Sequence, residues 1–203
     1  SLFKNVIFKN LSNIKNNLKN NFLGAINIYE SEIEIIDCKF IGNDSEDFLN
    51  IISSNFSGKN LIFQNTNRDA IDVDFSEGMF KNIRFYNVGN DALDFSNSKV
   101  IIENISILDV KDKGISVGEA SVVEGKNIYI DNAKYGIASK DDSVVKLNDV
   151  KIVNSNIAVS AYQKKPEFGP GNIEIIDIYF KNNKKNVDEE KGSNIVVLVK
   201  EIN

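Results

Sequence analysis

One short phrase returns through the middle of this 203-residue chain at a fixed interval. It reads Ala70-Ile71-Asp72-Val73, Ala92-Leu93-Asp94-Phe95, Gly114-Ile115-Ser116-Val117, Gly136-Ile137-Ala138-Ser139 and Ala158-Val159-Ser160-Ala161, and each step is 22 residues. A second marker keeps nearly the same beat: an Asn or Asp followed by apolar, any, apolar. It occurs as Asn60-Leu61-Ile62-Phe63, Asn82-Ile83-Arg84-Phe85, Asn104-Ile105-Ser106-Ile107, Asn127-Ile128-Tyr129-Ile130 and Asp149-Val150-Lys151-Ile152, and earlier at Asn5 and Asp37 and later at Asp177. A third alternating piece, such as Val100-Ile101-Ile102, lies between the two. Each repeat therefore carries three short period-2 segments separated by polar turns, which is the pattern of strands and not of helices.

Three strands in about 22 residues, with each repeat restarting in the same sense, predict an all-β right-handed parallel β-helix of about eight coils and three parallel sheets. A hairpin meander would need two-residue turn signals such as Asn-Gly, and none occurs. A left-handed form would show a hexapeptide beat. Equivalent strands of neighbouring coils then pair in parallel at roughly 4.8 Å. A lone coil cannot bury its apolar residues, so stacking must do it. The inward columns are Ile71, Leu93, Ile115, Ile137 and Val159 on the first sheet, and Leu61, Ile83, Ile105, Ile128 and Val150 on the third. Phe40, Phe63 and Phe85 run beside the latter and give way to Ile107, Ile130 and Ile152. The recurring Asn/Asp predicts a ladder of side-chain amides at the turns.

Composition narrows the chemistry. A formal charge of -5 argues against nucleic acid, and 42% hydrophobic content suits one elongated domain over residues 1–203. No apolar run is long enough for a membrane span. Cys38 is the single cysteine, at an inward position, and reads as a buried thiol. There is no histidine, which excludes imidazole metal sites and histidine-based triads. The chain starts inside a coil at Ser1, which predicts a piece of a longer protein with an adjacent domain or subunit against that end. Two insertions interrupt the beat. Residues 9–24 place Leu11, Ile14, Leu18 and Phe22 at helical spacing, and residues 162–171 hold a Pro/Gly loop.

Candidate chemistry lies on the outward face of the first sheet. One column there reads Asn27, Asn50, Asp72, Asp94, Ser116, Ala138, Ser160, and the next Asp74, Ser96, Gly118, Lys140, Tyr162. Asp72, Asp74 and Asp94 fall close enough to repel one another unless a cation, a lysine or protonation relieves them, which makes them candidate Ca²⁺ ligands. Asp91 and Lys113 occupy a column just before the strand. Glu119 and Asp141 lie just after it, with Lys164 and Lys165 beyond. With Ser116 these are the candidate substrate-binding residues. The face grades from acidic to basic. Taken singly, outward Asp and Lys on a solenoid are solvated side chains, and Asp69 and Asp91 are common turn residues. Their clustering is what singles them out.

The run Asp91-Ala92-Leu93-Asp94, Gly114-Ile115-Ser116-Val117-Gly118-Glu119, Gly136-Ile137-Ala138-Ser139-Lys140-Asp141 and Ala161-Tyr162-Gln163-Lys164-Lys165 resembles the right-handed parallel β-helix repeat proteins of the pectate-lyase-like superfamily. That superfamily includes polysaccharide lyases, mannuronan epimerases, polygalacturonases and phage tailspikes. The resemblance implies an exported or cell-envelope bacterial or phage protein that holds an acidic polysaccharide along the first sheet. No family catalytic motif transfers residue by residue: histidine is missing, and Arg68 and Arg84 are the only arginines. The catalytic expectation is a lyase- or epimerase-like β-elimination with Lys140 as base and Tyr162 as acid, and Ca²⁺ or protonation at Asp72, Asp74 and Asp94. The rival is a non-catalytic structural or assembly solenoid.

Overall fold

A computed structural model describes residues 1–13 and 23–200. The chain winds as stacked coils whose strands all pair in parallel. The first coil holds β1 (Leu2–Lys4), β2 (Ile7–Ser12) and β3 (Gly24–Tyr29), and the second β4 (Glu32–Ile36), β5 (Lys39–Asp44) and β6 (Asp47–Ile52). Then come β7 (Asn55–Thr66) with β8 (Asp69–Asp74), β9 (Glu77–Val88) with β10 (Leu93–Ser96), and the long β11 (Lys99–Gly118) and β12 (Val122–Lys140). The last coils hold β13 (Val144–Val153) with β14 (Ile157–Tyr162), β15 (Asn172–Lys181) with β16 (Lys185–Glu189), and β17 (Asn194–Val199).

The repeat phrases stack as their spacing predicts. Leu93 pairs with Ile71 on one side and Ile115 on the other, and Ile137 pairs with Val159. All five are fully buried. On the third sheet Phe40 and Phe63 stack with ring centroids 4.3 Å apart, and Phe63 and Phe85 follow at 5.3 Å. Ile107, Ile130 and Ile152 continue that column, also buried.

Asn60, Asn82, Asn104 and Asn127 adopt φ values of 56°, 58°, 58° and 59°. Asn tolerates this left-handed conformation better than most side chains. Each amide donates to the side chain one coil earlier: Asn60 to Asp37, Asn82 to Asn60, Asn104 to Asn82, and Asn127 to Asn104, all at 2.8–2.9 Å. The chain turns on one residue without losing its ladder. That is why β7, β9, β11 and β12 run continuously where the sequence predicts separate strands. A second ladder is made of buried serines. The hydroxyls of Ser54, Ser76, Ser98, Ser121 and Ser143 accept from the backbone N–H of Ser31, Ser54, Ser76, Ser98 and Ser121 respectively.

Cys38 is fully buried, as its inward position requires, and donates to the carbonyl of Ile36. No helix among the described residues is long and apolar enough to cross a membrane. Of the proposed helical spacing, Leu11 belongs to strand β2, whereas Ile14, Leu18 and Phe22 lie outside the described residues. Of the 162–171 insertion, Tyr162 ends β14 and residues 163–171 form a loop before β15.

Candidate active site

The first sheet, formed by β3, β6, β8, β10, the ends of β11 and β12, β14 and β16, carries the site. Its outward column is confirmed by register: Asn50 pairs with Asp72, Asp72 with Asp94, Asp94 with Ser116, Ser116 with Ala138 and Ala138 with Ser160. Asp188 extends it beyond Ser160. The expectation that this whole column faces solvent needs correction. Asn50, Ser116, Ala138 and Ser160 are buried, and Asp72 and Asp94 are half-buried. One reason is visible at Lys140, which leaves its own column and lies back over Gly118 toward Ser116.

That path ends at the acidic pair. Lys140 Nζ donates to Ser116 Oγ at 2.6 Å and lies 3.7 Å from Asp94 Oδ1, with the lysine side chain only 8% exposed. A Cβ at Gly118 would stand 2.9 Å from Lys140 Cε, so the glycine supplies the passage. Lys140 is therefore engaged by both Ser116 and Asp94. Asp94 thus carries a cationic partner.

Its neighbour Asp72 does not. Burial first, and then Asp74, Asp47, Asp94 and Asp69, push the Asp72 carboxyl up to about 9. Asn50 donates to both Asp47 (2.9 Å) and Asp72 (3.3 Å). Burial likewise raises Asp47, Asp69 and Asp74 to about 6 each. Asp91 rises to about 7 because burial, with repulsion from Asp94 and Asp69, outweighs the attraction of Lys113. Lys113 itself pairs with Asp91 at 3.4 Å and with Asp112. Burial alone would raise Asp112, but hydrogen bonds from Lys113 and Lys134 lower it. Backbone donors add order: Asp91 N–H donates to Asp69, and Lys113 N–H donates to Asp91, at 2.8 and 2.9 Å.

The remaining predicted residues lie at and beyond the ends of β11, β12 and β14. Asp141 is fully buried and accepts from the backbone N–H of Lys164 and Lys165, which anchors the 163–171 loop. Lys165 then crosses two coils to Glu119 at 2.5 Å. Lys164 is exposed. Tyr162 is half-buried, and burial first raises its hydroxyl to about 12, so it is a protonated donor at neutral pH. It lines a recess with Lys113, Tyr135 and Ser160, whereas Lys140, its partner in register, reaches Ser116.

Sequence reasoning missed Asp47 as part of the cluster, and Tyr135, Asp188 and Glu190 beyond it. In the Asp47 coil the phrase is Phe48-Leu49-Asn50-Ile51, whose bulky first residue hides the repeat, although Asp47 precedes Asp69 by the same 22 positions. Among the described residues no group of three or more acidic or cysteine side chains is arranged to hold a metal ion.

A family model described as the right handed beta helix region matches residues 24–196. The chain belongs to the right-handed β-helix family. No curated protein matches it. Similar solved structures include the catalytic domain of a GH87 alpha-1,3-glucanase in complex with tetrasaccharides. That likeness has 10% identity and a TM-score of 0.42, and covers 95% of this chain and 54% of the other. The same catalytic domain in complex with nigerose gives 11% identity, a TM-score of 0.40, and coverage of 94% and 53%. The chain spans about half the length of those structures.

Proposed function

We propose that the first-sheet face binds a polysaccharide and hydrolyses its glycosidic bonds. One observation carries this: two carboxyl groups on paired strands, Asp72 and Asp94, stand in opposite environments. Asp72 has burial and four acidic neighbours, and holds its proton to about 9. Asp94 has Lys140 at 3.7 Å. A protonated carboxyl beside a paired carboxylate is the division of labour glycoside hydrolysis needs. Asp72 donates its proton to the glycosidic oxygen as the bond to the anomeric carbon breaks. Asp94 takes a proton from the water that adds to that carbon, and the proton later returns to Asp72 through solvent.

Three cations that could attract a uronate are already engaged: Lys113 by Asp91 and Asp112, Lys140 by Asp94, and Lys165 by Glu119. The surrounding carboxyls would repel a polyanion. The reading therefore shifts from an acidic to a neutral polysaccharide. A neighbouring domain or subunit against the first coil stays part of the proposal. It is supported by exposed Leu2 and Ile7.

The test is a panel of neutral and acidic glycans assayed for new reducing ends and, separately, for ultraviolet-absorbing unsaturated ends. Hydrolysis predicts reducing ends alone, with the rate falling on the order of 10²–10⁴-fold in Asp72→Asn and in Asp94→Asn. Unsaturated ends from an acidic glycan would restore the elimination reading. No product and no binding would leave the structural solenoid.

A further inference from the structure

Three coils beyond Asp94, roughly 14 Å along the axis, the same face opens into a recess of about 550 Å³. Ser160 and Asp188 form its floor and continue the column of Asp72 and Asp94. Tyr135, Tyr162, Lys113 and Glu190 complete the lining that matters here.

Its polar groups are poised for a partner that the protein does not supply. The hydroxyls of Tyr135, Ser160 and Tyr162 have no hydrogen-bond partner among the described residues. Ser160 is 2% exposed, at the floor of the recess. The charges, in contrast, are settled. Lys113 is held by Asp91 and Asp112, Asp188 by Lys185 at 2.5 Å, and Glu190 accepts from the backbone N–H of Gln163 at 2.8 Å. What remains is a set of neutral hydroxyls, unused carboxylate lone pairs and two aromatic rings, one of which, Tyr135, already faces Lys134 Nζ at 5.5 Å, a cation that Asp112 holds at 3.0 Å. Few polar groups converging beside aromatic walls make an orienting site for a small polar molecule.

We propose that this recess is a neutral-sugar subsite that holds the polysaccharide some way from the bond being cut. Tyr135 and Tyr162 offer aromatic surface to the sugar's C–H groups, Ser160 bonds a ring hydroxyl, and Asp188 and Glu190 accept from others. A uronate carboxylate would face Asp188 and Glu190 with no uncommitted lysine to offset them, so the recess selects against acidic sugars. The assignment rests on reading the face as a polysaccharide site, but it makes a claim of its own: ligand length matters, and the anchoring lies at Ser160.

The experiment measures binding of neutral oligosaccharides of increasing length by calorimetry, and KM and kcat on the polymer, for wild type, Ser160→Tyr and Tyr162→Ala. Circular dichroism checks that each variant folds. Ser160→Tyr fills the recess, and Tyr162→Ala serves should the larger side chain disturb β14. The expected result is a rise of about tenfold or more in Kd and KM for long ligands, exceeding any fall in kcat. Wild-type Kd and KM in both folded variants would overturn the subsite while leaving hydrolysis at Asp72 and Asp94 intact. Binding that is lost in the variants, without cleavage by the wild type, would keep the subsite and overturn the hydrolytic reading. Failure of the wild type to bind any neutral glycan overturns the subsite outright.

Discussion

Lys140 Nζ reaches to 3.7 Å from Asp94 Oδ1 across two coils, through the space that Gly118 leaves open. The ion pair depends on a residue that contributes nothing to it except absence of a side chain. Removing the cation by Lys140→Met leaves Asp94 beside Asp72, Asp74 and Asp91 with its lysine gone. Asp94 retains some solvent, with 27% of its side chain exposed, so the stability cost is about 1–3 kcal/mol, below that of a fully buried pair. The proposed base would then lack its cationic neighbour, and hydrolysis should slow across the pH range. Chemical denaturation and a pH–rate profile measure the two effects separately.

Gly118→Ala probes the same pair without touching either charge. The added Cβ meets the far end of a flexible side chain, not backbone, so Lys140 can swing aside. Stability should change by less than about 1 kcal/mol, while hydrolysis falls by a larger factor than the fold does. If Gly118→Ala hydrolyses glycans at the wild-type rate, the Lys140–Asp94 contact is dispensable for the reaction.

The solenoid itself is tested at Leu93, fully buried between Ile71 and Ile115. Leu93→Ala should cost about 2–5 kcal/mol, because coils above and below are fixed by their own ladders and close poorly over a cavity. Urea unfolding of the purified variant gives the number. A cost under about 1 kcal/mol would mean that the stack carries less of the stability than its burial implies.

How much of this was legible beforehand depends on whether a feature repeats. Leu93, Ile83 and Phe63 could be placed inward because the 22-residue beat repeats the same environment coil after coil, and register then follows from side-chain alternation. The Asn60–Asn82–Asn104 ladder was legible for the same reason. The serine ladder keeps that beat too, but serine in a polar turn is common enough that the period went unremarked. The site is where repetition stops. That Lys140 bends back to Asp94 depends on Gly118, and no periodicity announces where a long side chain goes when a neighbour is missing. Asp141, a candidate substrate-binding residue by its column, anchors the 163–171 loop, because the insertion folds back on the coil beneath it.

The buried acids make stability depend on pH in an unusual direction. Asp72 in the folded chain sits at about 9, and Asp47, Asp69, Asp74 and Asp91 at about 6 to 7, against 3.8 for an unperturbed Asp. Above about pH 4 the unfolded chain loses protons that the folded chain keeps, so the folded state binds more and its stability falls as pH rises. The decline should be steepest between pH 4 and 7 and end near 9. Asp112 opposes it, since its lowered carboxyl costs stability only when pH drops. Thermal unfolding should therefore give a higher Tm in mild acid than at pH 8. Asp72→Asn, which stays neutral at every pH, should stabilise the protein at pH 8 by about 1–3 kcal/mol and flatten the curve. A Tm that rises steadily from pH 5 to 8 would contradict the burial of these groups.

Protons and calcium are alternatives for the same oxygens. A divalent ion at Asp72, Asp74 and Asp94 would have to displace the proton Asp72 holds to about 9 and draw Asp94 away from Lys140. Ca²⁺ takes six to eight oxygens in a flexible shell, whereas the described residues bring no three such side chains into position. Calorimetric titration with millimolar Ca²⁺ at neutral pH should therefore give no binding heat in the wild type. Lys140→Met frees Asp94 from its internal cation and should bind calcium better than the wild type does, with the gain abolished by adding Asp94→Asn. Tight wild-type binding that disappears in Asp94→Asn would instead show that the acidic pair is a metal site and that Asp72 does not serve as the proton donor.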